Sequence, residues 1–297
     1  MFAIVALLLQ VSTPVPQTPP APPPPLHGGP QTMTCPIGGE SFSALVGSHY
    51  SEFGMPRPDG LRASSWLMPR PIPECPSNGL VLIEQYDAAT VAKLRPLIDS
   101  DAYRAMAKND TTYYRASWIA TRLGRTEPQA LWLLLLATWQ VKPQMTSGGQ
   151  AMSADSRAIA YQAEFARRVA ALPGSTGATD LLWLRGRAAN ALREIGRFDE
   201  AEAMRRSAQT QLGAPNADAR YWPAFLDGLR VAIARRDRAV EPIDMVDANR
   251  AAWLCLDRER GGSAFERGFC ADPARAEAIS KMRRMREQVE KASPRPM

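Results

Sequence analysis

From residue 87 onward, apolar side chains recur three and four residues apart, the spacing that gathers them on one face of a helix. A chain that carries this period over most of its length has to bury a series of helical stripes against one another. Asp87 is placed to cap a first helix running through Val91 and Leu94, with Pro96 kinking it. Further helices are predicted over residues 111–123, 130–140, 155–172, 180–195, 198–212, 220–236, 246–257 and 272–291. Thr126-Glu-Pro-Gln129 opens the second of these as a capping box with an early proline. Short turns between successive helices argue for stacked antiparallel hairpins, so residues 87–292 are expected to form one α-helical domain.

The segment from Trp183 to Ala208 carries the sharpest helical pattern. Ala189 is the small residue where two helices cross closely, and Leu192 fills the facing groove. Gly196 ends the first helix, Phe198 packs back into the hairpin, and Ala201 and Ala208 keep the second helix close. This arrangement resembles a tetratricopeptide repeat, although a generic helical hairpin has the same pattern. One such repeat cannot bury its own face, so at least about three helix pairs are implied. Residues 113–136, with Ser117, Gly124 and Ala130, look like a degraded neighbour.

The period is lost ahead of residue 87. Residues 32–86 are rich in Gly, Pro, Ser and aromatics, with turns at Gly38-Gly39, Pro58-Asp59-Gly60 and Asn78-Gly79. Strands are expected over 42–46, 65–68 and 79–85, giving a small β-rich subdomain. Nine prolines crowd residues 14–30, so residues 13–31 read as a stiff, extended spacer. Residues 1–12 hold an apolar run, Phe2 to Leu9, too short to span a bilayer and of the length of an export signal.

Cysteine usage fits export. Four cysteines, Cys35, Cys75, Cys255 and Cys270, allow three pairings, and proximity along the chain favours Cys35 with Cys75 and Cys255 with Cys270. Cys35-Pro-Ile-Gly-Gly and Cys75-Pro-Ser-Asn-Gly are two Cys-Pro turns. With the helices behind them they resemble an uncharacterised bacterial family in which two Cys-Pro-x-Cys knuckles form a zinc ribbon ahead of tetratricopeptide-like helices. The resemblance covers residues 32–212 and implies a tetrahedral metal site, yet Gly38 and Asn78 stand where the second cysteine of each knuckle belongs. Cys35, Cys75 and His49 are three possible ligands, with Glu40, Glu52 or Glu74 needed as a fourth. The more economical expectation is a ribbon without metal or other cofactor, held by a Cys35–Cys75 disulfide.

Little in the sequence points to catalysis. The two histidines are His27, in the spacer, and His49, and no Gly-x-Ser-x-Gly elbow presents a nucleophile. The glycine pairs at 148–149 and 261–262 lack the lysine and spacing of a phosphate cradle. Net charge is +6, but basic and acidic residues are interleaved, which disfavours nucleic acid as a partner. From residue 271 on, seven basic residues face four acidic ones around an apolar stripe of Ile279, Met282, Met285 and Val289. That helix reads as a cap on the helical array, or as a contact for an anionic surface. The expectation is a periplasmic or secreted envelope protein, mainly α, whose stacked helices offer a groove to a protein or peptide partner. The alternative is a hydrolase or metal-dependent enzyme with its site where ribbon and helices meet.

Overall fold

The computed structural model describes residues 29–46, 51–145, 151–153, 155–215, 220–257 and 262–292. The apolar run at residues 1–12, the spacer up to residue 28, His27, His49 and both glycine pairs, save Gly262, lie outside the described residues. The described chain is mainly helical, with a small β-rich part at its N-terminal end.

That part starts earlier than the sequence suggests. Strand β1 (Gly29–Thr34) pairs antiparallel with β2 (Ser41–Val46), Gly29 facing Val46 and Thr34 facing Ser41, and the Cys35 turn lies at the tip. Pro30 is admitted because both strands of a two-stranded ribbon are edges. A shorter ribbon joins β3 (Glu52–Phe53) to β4 (Ala63–Ser64). Residues 65–68 and 79–85, expected as strands, form bends and turns apart from a single bridge between Glu74 and Val81. Pro69, Pro71 and Pro73 lack the N–H that a ladder needs. The Met68 N–H donates instead to the Gln144 side chain at 2.8 Å.

Among the described residues eleven α-helices follow. Helix α1 (Ala88–Ile98) starts from Asp87, whose carboxylate accepts the Thr90 N–H at 2.7 Å. It closes just after Pro96 rather than continuing as a kinked rod, and the Ser100 hydroxyl caps a separate α2 (Asp101–Asn109). Next come α3 (Thr112–Arg122), α4 (Glu127–Trp139), α5 (Ala158–Ala170), α6 (Ala178–Glu194), α7 (Phe198–Gln209) and α8 (Tyr221–Ala234). The strands β5 (Gln144–Met145) and β6 (Ala151–Met152) pair between α4 and α5. A second unit holds α9 (Ala248–Asp257), α10 (Ala264–Ala271) and α11 (Ala276–Ala292). Helix α10 was not expected from the sequence. Ser263 and Glu266 cap it reciprocally, the Ser263 N–H donating to Glu266 at 2.7 Å and the Glu266 N–H to Ser263 Oγ at 3.2 Å.

From α3 to α8 each helix packs on the next, and α6 also touches α4 on one side and α8 on the other. This makes two rows, α3, α5 and α7 on one side and α4, α6 and α8 on the other. Helix α6 lies in the middle and is buried on nearly every side, with Ala188 and Ala189 letting its neighbours come close. Ala189, Ala201 and Ala208 are fully buried in this core, Leu192 and Phe198 pack in the same cluster, and Gly196 follows the end of α6. Burying each large member, such as Leu182 or Phe165, contributes about 1.5–3 kcal/mol. Separate clusters join the ribbon to α1–α3 and hold α9 to α11. No helix among the described residues is long and apolar enough to cross a membrane.

Candidate functional site

At the ribbon, the two Cys-Pro turns share one hydrogen-bond pattern. The Cys35 N–H donates to Glu40 O and Gly39 N–H to Cys35 O, each at 2.9 Å; Cys75 to Leu80 and Gly79 to Cys75 repeat this at the same distances. Gly39 and Gly79 occupy matching places with φ of 79° and 69°, a left-handed conformation that favours glycine. The turns face each other and are joined by the Cys35–Cys75 disulfide, with Cα atoms 5.5 Å apart. Both sulfurs lie within 4.8 Å of a Glu40 carboxylate oxygen, but sulfurs bonded to one another are not the thiolates that a zinc site requires. A side chain at position 38 would place its Cβ 1.9 Å from a Glu40 oxygen, so that carboxylate fills the space of the missing knuckle cysteine. Glu40 accepts from Ser77 Oγ at 2.6 Å, and that bond lowers its pKa. At position 78, Asn78 Nδ2 rests 3.7 Å from Cys35 Sγ. The residues present therefore fit a disulfide-held ribbon and not a tetrahedral metal centre.

The ribbon is tied to the helices at Gly79, whose carbonyl accepts from Tyr103 Oη at 2.8 Å and from Arg115 Nη1 at 2.6 Å. Arg115 also pairs with Glu74. This is the ribbon–helix junction: Arg115 Nη1 and Nη2 are spent on a backbone carbonyl and an ion pair, while its buried Nε has no hydrogen-bond partner among the described residues.

Residues 57–61 cross the second row of helices and bring in a buried charge network. Lys142 Nζ sits 3.1 Å from Asp59 Oδ2 and 2.9 Å from Glu194 Oε2, and all three side chains are almost wholly buried. Asn190 Nδ2 and Gln162 Nε2 each donate to Glu194 at 2.7 Å. Arg57 forks onto Asp59, and Arg193 donates to Asn190 and to the carbonyls of Asp237 and Ala239. Burial alone would raise the Asp59 carboxyl, but the charges of Arg57 and Lys142 outweigh it and hold the group below the usual carboxylate range. Three cations share two carboxylates here, and the hydrogen bonds among them clamp the arm to α4 and α6. None of its members was singled out in the sequence. The one available signal is that Asn190, with Arg193 and Glu194 three and four residues beyond it, interrupts an apolar stripe with polar groups that must be paired.

Beside this arm, Met55, Pro56, Tyr221, Phe225 and Met245 line an apolar cavity of about 470 Å³. The opposite row is open. Two cavities lie along it, of about 330 and 410 Å³, and Arg167 of α5 lines both. The first runs between α3, α4 and α5 past Tyr114, Trp118 and Glu164; the second between α5, α6 and α7 past Arg185, Leu192, Ala203 and Met204. The Tyr114 hydroxyl donates to Glu164 Oε2 at 2.7 Å, and burial together with that carboxylate raises its pKa. Arg168 forks onto Glu127 at 2.8 and 3.1 Å and also reaches Ser117 and Thr121. On the C-terminal helix, Met282 is buried against α9 while Met285 and Val289 are exposed, so the expected apolar stripe is split between packing and solvent.

Compared with known proteins, the chain matches no family model, no curated protein and no solved structure. Its class is therefore set by its own architecture: a stacked helical array joined to a disulfide-held ribbon and to a disulfide-held helical unit, Cys255 to Cys270.

Proposed function

We propose that this chain is a non-enzymatic interaction module of the cell envelope, tetratricopeptide-like in its helix pairs, that holds an extended segment of a protein partner. The observation that carries this reading is the pair of cavities along α3, α5 and α7, which share Arg167 in their walls. An extended peptide fits a row of helices because its side chains can drop alternately into successive recesses while small residues such as Ala170 and Ala203 leave room for its backbone. Two disulfides support export, since such bonds persist in oxidising compartments. The N-terminal apolar run agrees with a periplasmic or secreted destination.

Site-specific photocrosslinking tests the reading. A photoreactive residue at Ala170 or Ala203, both exposed in the groove, is expected to form discrete protein adducts in the envelope fraction of the native host. The same residue at exposed Arg62, on the ribbon side, is expected to form none of them. Identical adducts from both faces would overturn the proposal.

A further inference from the structure

The charge left over in the groove points to the chemistry of its occupant. Five arginines and three glutamates line the two cavities, and they do not cancel evenly. Arg168 is bound to Glu127 and Arg197 to Glu200, each through a two-pronged contact. Glu164 accepts from Tyr114 and lies 3.8 Å from Arg168. Arg122, Arg167 and Arg185 remain, and among the described residues none of the three has a carboxylate partner. They come from three helices, α3, α5 and α6, so only the stacking brings them into one groove. Arg122 is restrained on its own helix, its guanidinium carbon 3.4 Å from the centre of the Trp118 ring and its Nη1 3.4 Å from the Trp118 carbonyl, which leaves fewer donor orientations to be lost on binding.

We infer, building on the groove reading above, that the occupant is an acidic peptide, with carboxylates spaced to meet Arg122, Arg167 and Arg185 in turn. The guanidinium fork matches a carboxylate in two parallel hydrogen bonds, and Leu192, Met204 and Ala170 between the charges suit small or apolar residues between the acids. Glu127, Glu164 and Glu200 on the same walls disfavour a polyphosphate backbone, whose dense charge would meet them at every step. Recession between helices disfavours a flat lipid surface.

Fluorescence anisotropy on the full chain with both disulfides intact tests the inference, using a labelled peptide of alternating Asp and Ala and its Asn counterpart. The Asp peptide is expected to bind, with affinity falling as salt rises, and the Asn peptide to bind far more weakly. Replacing Arg122→Gln, Arg167→Gln and Arg185→Gln together should weaken Asp-peptide binding by about tenfold or more, from three exposed or half-exposed charge pairs acting together. Arg95→Gln, Arg230→Gln and Arg284→Gln, exposed elsewhere, should leave it unchanged. Equal binding of the two peptides, equal loss in both triple variants, or sedimentation with anionic vesicles that the same three arginines control would overturn the acidic-peptide assignment. Crosslinks from Ala170 and Ala203 that persist undiminished in the groove variant would sink this inference while leaving the groove standing. Their absence from the unaltered chain would sink both.

Discussion

Lys142 lies between two carboxylates that reach it from far along the sequence, Asp59 across 83 residues and Glu194 across 52. Removing one partner from such a buried set strands the others in a medium that solvates charge poorly. Lys142→Met is therefore expected to cost about 3–5 kcal/mol, read from chemical denaturation. Asp59 gives the same clamp a pH signature. Its native pKa is depressed, so its contribution is complete above the ordinary aspartate value of 3.8 and is lost as pH falls below that value. Asp59→Asn should be less stable than the unaltered chain at neutral pH, and the gap should narrow as pH drops below about 4. A constant gap across that range would show that Asp59 is not held in its charged form by the clamp. None of this was legible beforehand: Asp59 reads as part of a Pro-Asp-Gly turn and Lys142 as the polar end of an apolar helix. Pairing across such separations is a property of the folded chain, and local pattern does not carry it. The groove arginines were hidden for the same reason, since Arg122, Arg167 and Arg185 look like ordinary surface charge until three helices are stacked.

Among the elements, those with strong period and caps were readable. The hairpin of α6 and α7 and the capping box opening α4 stand within a few residues of where the sequence puts them. Helices α2 and α10 were missed because they are short, 9 and 8 residues, and their serine caps resemble loop composition. The strands expected after β4 contain no proline themselves, but Pro69, Pro71 and Pro73 lie between them and break up the partner they would pair with, leaving the one bridge of Glu74 to Val81. Gly186 shows how an element can mislead. In the middle of α6 it looks like a weak point, where alanine would ordinarily stabilise the helix by about 1 kcal/mol. The packing reverses that expectation, because a Cβ there would lie 2.6 Å from the Trp222 ring, with Phe225 also close. Gly186→Ala is expected to destabilise by about 1–3 kcal/mol through overpacking. Trimming the ring by Trp222→Leu in the same chain should make the alanine less harmful than it is alone, a coupling that a double-mutant cycle measures. Additive effects would place the strain elsewhere.

Across the whole molecule, the two disulfides fasten different things, and this separates their consequences. Cys35 and Cys75 close a loop of 40 residues that contains the arm carrying Arg57 and Asp59, so the bridge holds both the ribbon and the reach of that arm across the helices. Cys255 and Cys270 close 15 residues and join α9 to α10, away from the rows that form the groove. Chain entropy assigns about 4 kcal/mol to the first bridge and about 3 kcal/mol to the second, too near each other to tell apart by stability alone. What distinguishes them is where the loosened chain appears. Cys255→Ser with Cys270→Ser should expose α10 and α11 to limited proteolysis while peptide binding in the groove persists. Cys35→Ser with Cys75→Ser should instead open cleavage sites within residues 51–70 and change the fluorescence of Trp139, whose indole N–H donates to the Asp59 carbonyl at 3.1 Å. Binding should survive that change too, since the arm and the groove lie on opposite rows of helices. If losing the first bridge abolished peptide binding while α3 to α8 stayed folded, the binding surface would have to be moved to the arm and its apolar cavity.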